Sequence, residues 1–141
     1  MKIFVGIDPG IFGGIAFLKT DSPVSAIPFK KFNINNLILL RPFIVSCYIE
    51  GVNAMPGQGV VSTFKFGKNF GWWHGVLQSL DINYTVVYPL KWQNYLNCRS
   101  GGDKRVTKQK AQELYPGLKV THAIADALLI ATYAKRKYLD L

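Results

Sequence analysis

Apolar and polar positions in this chain fall into short blocks, first with strand character and later with helical spacing. Residues 2–7 (KIFVGI) form an apolar run that ends at Asp8-Pro9-Gly10, a turn signal. Gly13-Gly14 opens a second run over 15–18, and two runs joined by a short glycine-rich link predict a β-hairpin. Residues 24–29 fit a third strand, and 33–40 fit a short helix stopped at Pro42. Residues 43–49 (FIVSCYI) are apolar and β-branched, which predicts a strand buried on both faces and ended by Glu50. A loop containing Gly and Pro is expected over 51–62.

The period then changes. Residues 70–80 carry Trp73, Val76, Leu77 and Leu80 on one side of a helix. Residues 84–88 (YTVVY) read as a strand closed by Pro89, 90–96 as a short helix and 98–102 as a loop. Asp103 is placed to cap a helix from Lys104 to about Tyr115, stopped by Pro116-Gly117. Thr121 is placed to cap a last helix, His122 to about Tyr138. Antiparallel strands first and helix-linked strands afterwards predict an α/β fold, a mixed five-stranded sheet flanked by helices. No repeat interrupts this order, and 141 residues suit a single domain over 1–141.

Composition excludes a disordered chain, since 49% of residues are hydrophobic and 18% are charged. The charges are lopsided: 17 Lys and Arg against eight Asp and Glu, net +9. Most of the excess lies in residues 65–141, with twelve basic and five acidic groups. Such a surface suits a polyanion, most simply nucleic acid, although an ordinary basic protein shows the same count. Cys47 lies in an apolar run and Cys98 in a polar loop, without metal-ligand spacing, which suits a reduced compartment. The N-terminus reaches an acid within eight residues, unlike a signal peptide. Arg41 and Pro42 interrupt the longest apolar stretch, so no membrane span is expected. The expected location is the cytoplasm of a bacterial host or of a virus-infected cell.

With so few acids, those in apolar context stand out. Asp8 ends the first strand and Glu50 the fourth; if these strands lie side by side and parallel, both carboxylates meet at one sheet edge. Asp126 sits in an otherwise apolar helix, HAIADALLIATYA, with His122 one turn earlier on the same face. Three carboxylates brought together repel unless a divalent cation neutralises them, and hard oxygen ligands suit Mg²⁺ or Mn²⁺. Two such ions can clamp the attacking and leaving oxygens of a phosphodiester. A basic protein with that centre is a candidate nuclease. Taken singly, Asp8 equally suits the start of a turn, Glu50 a lysine pair and His122 a helix-cap hydrogen bond.

Gly6-Ile7-Asp8-Pro9-Gly10 with Gly13-Gly14-Ile15-Ala16, then Tyr48-Ile49-Glu50, then Ala125-Asp126-Ala127-Leu128-Leu129-Ile130-Ala131, resembles the RuvC family of Holliday junction resolvases. Residues 66–77 (FGKNFGWWHGVL) and the spacing of His122 to Asp126 are most similar to its phage and chloroplast branch. The resemblance implies an RNase H-like fold. It also implies two Mg²⁺ ions per active site, with Mn²⁺ able to substitute, held by Asp8, Glu50 and Asp126, with His122 as the fourth catalytic and metal-site residue. In many bacterial members that fourth residue stands three before the last Asp, where this chain has Ala123. A Phe three residues after the Glu serves there as a wedge at the junction; Asn53 stands at that position here, and Phe64 or Phe66 is the candidate substitute. Lys91 and Lys104, with Arg105 beside the latter, match the family's DNA-contacting positions best.

Gly67, Gly71 and Gly75 recur every four residues. Such a stripe admits a second backbone, either the protein's own sheet or a partner helix. The resemblance implies a homodimer with Gly71, Trp72 and Gly75 at its interface, and a two-fold dimer suits paired nicking of a four-way DNA junction. Trp72 and Trp73 cannot share one side of the helix, so one of them is expected to meet a partner. The reading is therefore a crossover junction endodeoxyribonuclease. Its rivals are a catalytically inactive junction- or nucleic-acid-binding module and an RNase H-fold nuclease acting on RNA–DNA hybrids or flaps.

Overall fold

The computed structural model describes residues 1–52 and 57–140. Its sheet contains β1 (Ile3–Asp8), β2 (Gly14–Lys19), β3 (Ser25–Pro28), β4 (Ile44–Glu50) and β5 (Thr85–Val87), in the spatial order β3-β2-β1-β4-β5. The hairpin β1–β2 is antiparallel, as expected, and β1–β4 is parallel, which meets the condition for Asp8 and Glu50 to share one sheet edge. The helices are α1 (Ile34–Ile38), α2 (Val60–Ser79), α3 (Pro89–Tyr95), α4 (Lys104–Leu114) and α5 (His122–Tyr138). No helix among the described residues is long and apolar enough to cross a membrane.

The strand period of two divides the core. Ile3, Val5, Ile7, Ile15, Phe17, Cys47 and Ile49 point to one face and pack with Leu37 of α1 and Trp73, Val76 and Leu77 of α2. Phe4, Ala16 and Leu18 point to the other and pack with Trp92 of α3, Ala111 of α4 and the apolar side of α5. Asp8 shares its parity with Phe4 and Gly6, so it belongs to the α5 face. Gly6 is required there: a Cβ on it would stand 2.2 Å from the Ala131 backbone nitrogen and 2.3 Å from the Ala127 carbonyl oxygen. The bare backbone lets α5 lie directly on β1.

Several boundaries differ from expectation. Helix α2 begins at Val60, ten residues before the expected start and inside the expected loop. Its first turns overhang the sheet, with Val60, Val61 and Phe64 exposed, so they carry no core-facing period that a sequence could display. Strand β4 is not buried on both faces: β5 pairs only with Tyr48–Glu50, which leaves its first half at an edge, with Val45 39% exposed. Phe43 lies in a 3₁₀ turn before that strand. Cys98 opens the expected loop over 98–102, but its side chain is buried in the cluster of Leu96 and Trp92, because the chain turns under α3 there. Asp103 caps α4 through its side chain, whereas Thr121 stands at the N-cap of α5 without a side-chain cap bond. Helix α1 has a capping box, Asn33 with Asn36.

Candidate metal centre

The parallel register pairs Ile7 with Ile49, so the next residues, Asp8 and Glu50, finish adjacent strands together. Both project to the α5 face. Helix α5, seated on Gly6, brings Asp126 to the same point. A carboxylate oxygen of each of the three lies within 4.8 Å of the others. Three elements far apart in sequence thus converge on one acidic cluster.

The electrostatics record the crowding. Burial, then Glu50 and Asp126, push the Asp8 carboxyl well above its ordinary range. Burial and Asp126 raise Glu50 to about 7, against the opposing pull of a Trp92 hydrogen bond and Lys104. Burial also raises Asp126, opposed by a hydrogen bond from Thr107 and by the charges of Lys104 and His122. Trp92, fully buried in α3, donates its indole Nε1–H to Glu50 Oε2 at 2.7 Å. The fully buried indole gives Glu50 a fixed donor, and the buried Thr107 hydroxyl on α4, shared with the Lys104 carbonyl, acts on Asp126. His122 is exposed and contributes no atom to the three-carboxylate group, although its charge reaches Asp126.

No family model matches the chain. It is 28% identical over 100 residues to the chloroplastic Holliday junction resolvase MOC1 of Chlamydomonas reinhardtii, a match covering 67% of this chain and 11% of that protein. The match therefore takes in about a tenth of the curated relative's length. Among solved structures, the chain superposes on Thermus thermophilus RuvC in complex with a Holliday junction substrate with a TM-score of 0.65, at 15% identity. That match covers 99% of this chain and 96% of the other. A second structure of T. thermophilus RuvC gives the same TM-score and identity, over 98% and 96% of the two chains. The chain shares the RNase H-like fold of RuvC.

Two grooves meet at the carboxylates. One, of about 610 Å³, runs between the β1–β2 turn and α2, from Asp8 and Glu50 past Phe12 to Lys65 and Phe66, with Lys104 in its wall. The other lies beside α3 and includes Glu50, Asp126, Thr107, Arg99 and Lys104. Lys104 lines both and acts on all three acids, so the structure brings it to the centre. Lys91 is exposed on α3 and lines neither groove. Arg105 is turned away to Asp103, with Nη2–Oδ2 at 3.0 Å and its side chain 87% exposed.

Phe66 packs near Gly10 and stacks on Phe70, at 6.1 Å between ring centroids. Phe64 is 69% exposed and lines neither groove. Both sit on α2 rather than on a connection, and Asn53 lies outside the described residues. Gly71 and Gly75 face open space, so their own sheet is not the backbone they approach. Trp73 is fully buried; Trp72 is 41% exposed and also packs edge-on against Phe29 and Phe32.

Sequence reasoning passed over three residues. Trp92 and Thr107 look like ordinary helix positions, and only the fold shows what they touch. Asn69, on α2, accepts a hydrogen bond from the Gly10 backbone N–H at 2.7 Å and ties the turn after Asp8 to the helix. A polar residue among the buried positions of α2 is the signal that was present.

Proposed function

We propose that this domain is a Holliday junction resolvase, a crossover junction endodeoxyribonuclease that nicks opposed strands of four-way DNA junctions. The observation that carries the reading is the convergence of Asp8, Glu50 and Asp126 between grooves lined by Lys65, Lys104 and Arg99, in a chain of net charge +9. The similarity to MOC1 and to junction-bound RuvC supports it.

The donor set fits divalent cations. Three oxygen ligands whose ionisation is opposed by burial and by one another are stabilised together by a hard cation. Asp8, Glu50 and Asp126 would hold two Mg²⁺ ions, or Mn²⁺ in their place, with His122 beside them completing the site. Bound there, the ions would supply charge stabilisation to the attacking and leaving oxygens of an in-line displacement. The chain's own residues do the rest. Trp92 and Thr107 hold two carboxylates in place for the ligand role. Lys104, within reach of both grooves, draws a phosphate to the cluster, and Lys65 and Arg99 extend the basic path on either side. His122, exposed at the first turn of α5, orients water or accepts its proton. Water attack at phosphorus breaks the P–O3′ bond and leaves a 5′-phosphate and a 3′-hydroxyl.

The open stripe of Gly71 and Gly75 with half-exposed Trp72 supports a homodimer through α2, which would set two such centres on one junction. The test is cleavage of a synthetic four-way junction with and without Mg²⁺, with nicks mapped on every strand and RNA–DNA hybrid and flap substrates alongside. Paired, symmetric nicks that need Mg²⁺ and vanish in Asp8→Asn are expected. Junction binding without cleavage in Mg²⁺ or Mn²⁺ identifies a binding module instead, and faster cleavage of hybrid or flap replaces the junction as substrate.

A further inference from the structure

The hairpin turn between β1 and β2 presents Ile11 and Phe12 at the lip of the groove that holds Asp8 and Glu50. Phe12 is 72% exposed and Ile11 44%. A single exposed aromatic is unremarkable on a protein surface. This one is held in place. The Gly13 N–H donates to the Gly10 carbonyl at 3.0 Å, and the Phe29 N–H to the Gly13 carbonyl at 2.8 Å. The Gly10 N–H donates to Asn69 Oδ1 on α2. A Cβ on Gly13 would overlap the Asp8 carbonyl oxygen at 1.9 Å, so the turn folds tightly back on the strand that carries Asp8. Phe12 is therefore displayed by a turn pinned at both ends.

The charge against its ring is positive, and the groove it edges carries lysines beside the carboxylates. Lys30 Nζ stands 4.7 Å from the Phe12 ring centroid, and Lys65 and Lys104 line the same groove. An exposed ring among lysines, beside a phosphodiester-cleaving centre, has the makings of a single-strand site: cations track the backbone and the aromatic face takes a base. The other aromatics suit this less. Phe66 is engaged by Gly10 and Phe70, and Phe64 stands away from both grooves.

We infer that Phe12 is a stacking platform for an unpaired nucleobase beside the scissile phosphate, with Lys30 contacting the adjoining backbone. The inference rests on the nuclease reading for the identity of that phosphate. It makes the β1–β2 turn, rather than α2, the element that holds the branch point open.

The test uses a four-way junction carrying 2-aminopurine next to the branch point, bound with Ca²⁺ in place of Mg²⁺. This base is bright when unstacked and dim when stacked. Wild-type protein is expected to bind with dim fluorescence. Phe12→Ala is expected to weaken binding about tenfold and leave the bound base bright. Phe12→Trp is expected to restore both, and Lys30→Ala to reduce the salt dependence of binding. Because Phe12 is exposed, equal thermal melts of the variants check that folding is unaffected. Phe12→Ala with unchanged affinity and unchanged fluorescence overturns the inference. Cleavage of the same junction in Mg²⁺ reads the nuclease assignment separately. Cleavage with a Phe12-independent signal sinks the stacking role alone. A Phe12-dependent signal without cleavage upholds the stacking role and sinks the nuclease.

Discussion

The two long helices lie on opposite faces of one sheet and are built to different rules. Ten of the 17 residues of α5 are buried, against four of the 20 in α2. Helix α5 is nearly apolar along its middle, sits on the bare backbone of Gly6 and delivers one acid, Asp126, to the cluster. Helix α2 buries Asn69, Trp73, Val76 and Leu77 and leaves Gly67, Gly71, Gly75 and part of Trp72 outward. A side chain that must be placed within a fraction of an ångström belongs on the helix that cannot move. A surface that must meet a second macromolecule belongs on the helix that has not spent its apolar area on its own core. Under the proposed function, the difference would put chemistry on the α5 face and recognition on the α2 face.

The sharpest way to break that assignment is Asp126→Asn. It keeps shape and removes charge, so junction cleavage in Mg²⁺ should fall by about 10³-fold or more while junction affinity changes little. A variant that cleaves normally would take the chemistry off α5. Next in size is Gly6→Ala, whose Cβ meets two backbone atoms of α5 at 2.2 and 2.3 Å. Neither strand nor helix backbone can yield cheaply, and a loss of at least about 3 kcal/mol in a urea titration is expected.

A third prediction concerns the acids without metal. A carboxyl whose folded-state pKa is raised favours the folded state while protonated and loses that contribution as pH rises through the raised value. Glu50 moves from the ordinary 4.5 to about 7, and Asp8 and Asp126 move in the same direction. In EDTA, the melting temperature should therefore fall as pH rises from about 4.5 to beyond 7. Mg²⁺ or Mn²⁺ should restore most of the loss at pH 7.5 and little at pH 5. Equal restoration at both would mean that the ion binds elsewhere. Trp92→Phe removes one donor to Glu50 and keeps the ring. It should cost about 1–2 kcal/mol in stability and weaken Mn²⁺ binding, read by calorimetry.

The sequence displayed the α5 face more clearly than the α2 face, for a physical reason. Residues committed to a core repeat with the period of their element, so the strands ending at Asp8 and Glu50 and the apolar run around Asp126 stood out in a chain with eight acids. The strand pattern allowed their parallel adjacency, and the register of β1 against β4 supplies it. The first turns of α2 touch no core, carry no period and read as loop. Trp92 shows the opposite limit: it looks like any buried aromatic, and its indole N–H acquires a role only when β4 places Glu50 beside it. Phe12 stands between two turn signals, Asp8-Pro9-Gly10 and Gly13-Gly14, and a turn's residues reveal its geometry but not what lies across the groove.

The smallest predicted effect bears most directly on α2. Gly71→Ala and Gly75→Ala place a methyl group into open space on a helix. In an isolated monomer each should stabilise by about 0.5–1 kcal/mol, since glycine is the weaker helix former and orders at greater entropic cost. If α2 is the homodimer face, the same methyl groups separate two backbones that the glycines let approach, and the dimer dissociation constant rises. Stability and association should then move in opposite directions: melting at high dilution goes up, while sedimentation at micromolar concentration shows more monomer. Both rising together would leave α2 solvent-facing and put the interface elsewhere. A lower melting temperature at high dilution would mean that the stripe packs within its own chain, and the division between the two faces would fail at its weaker side.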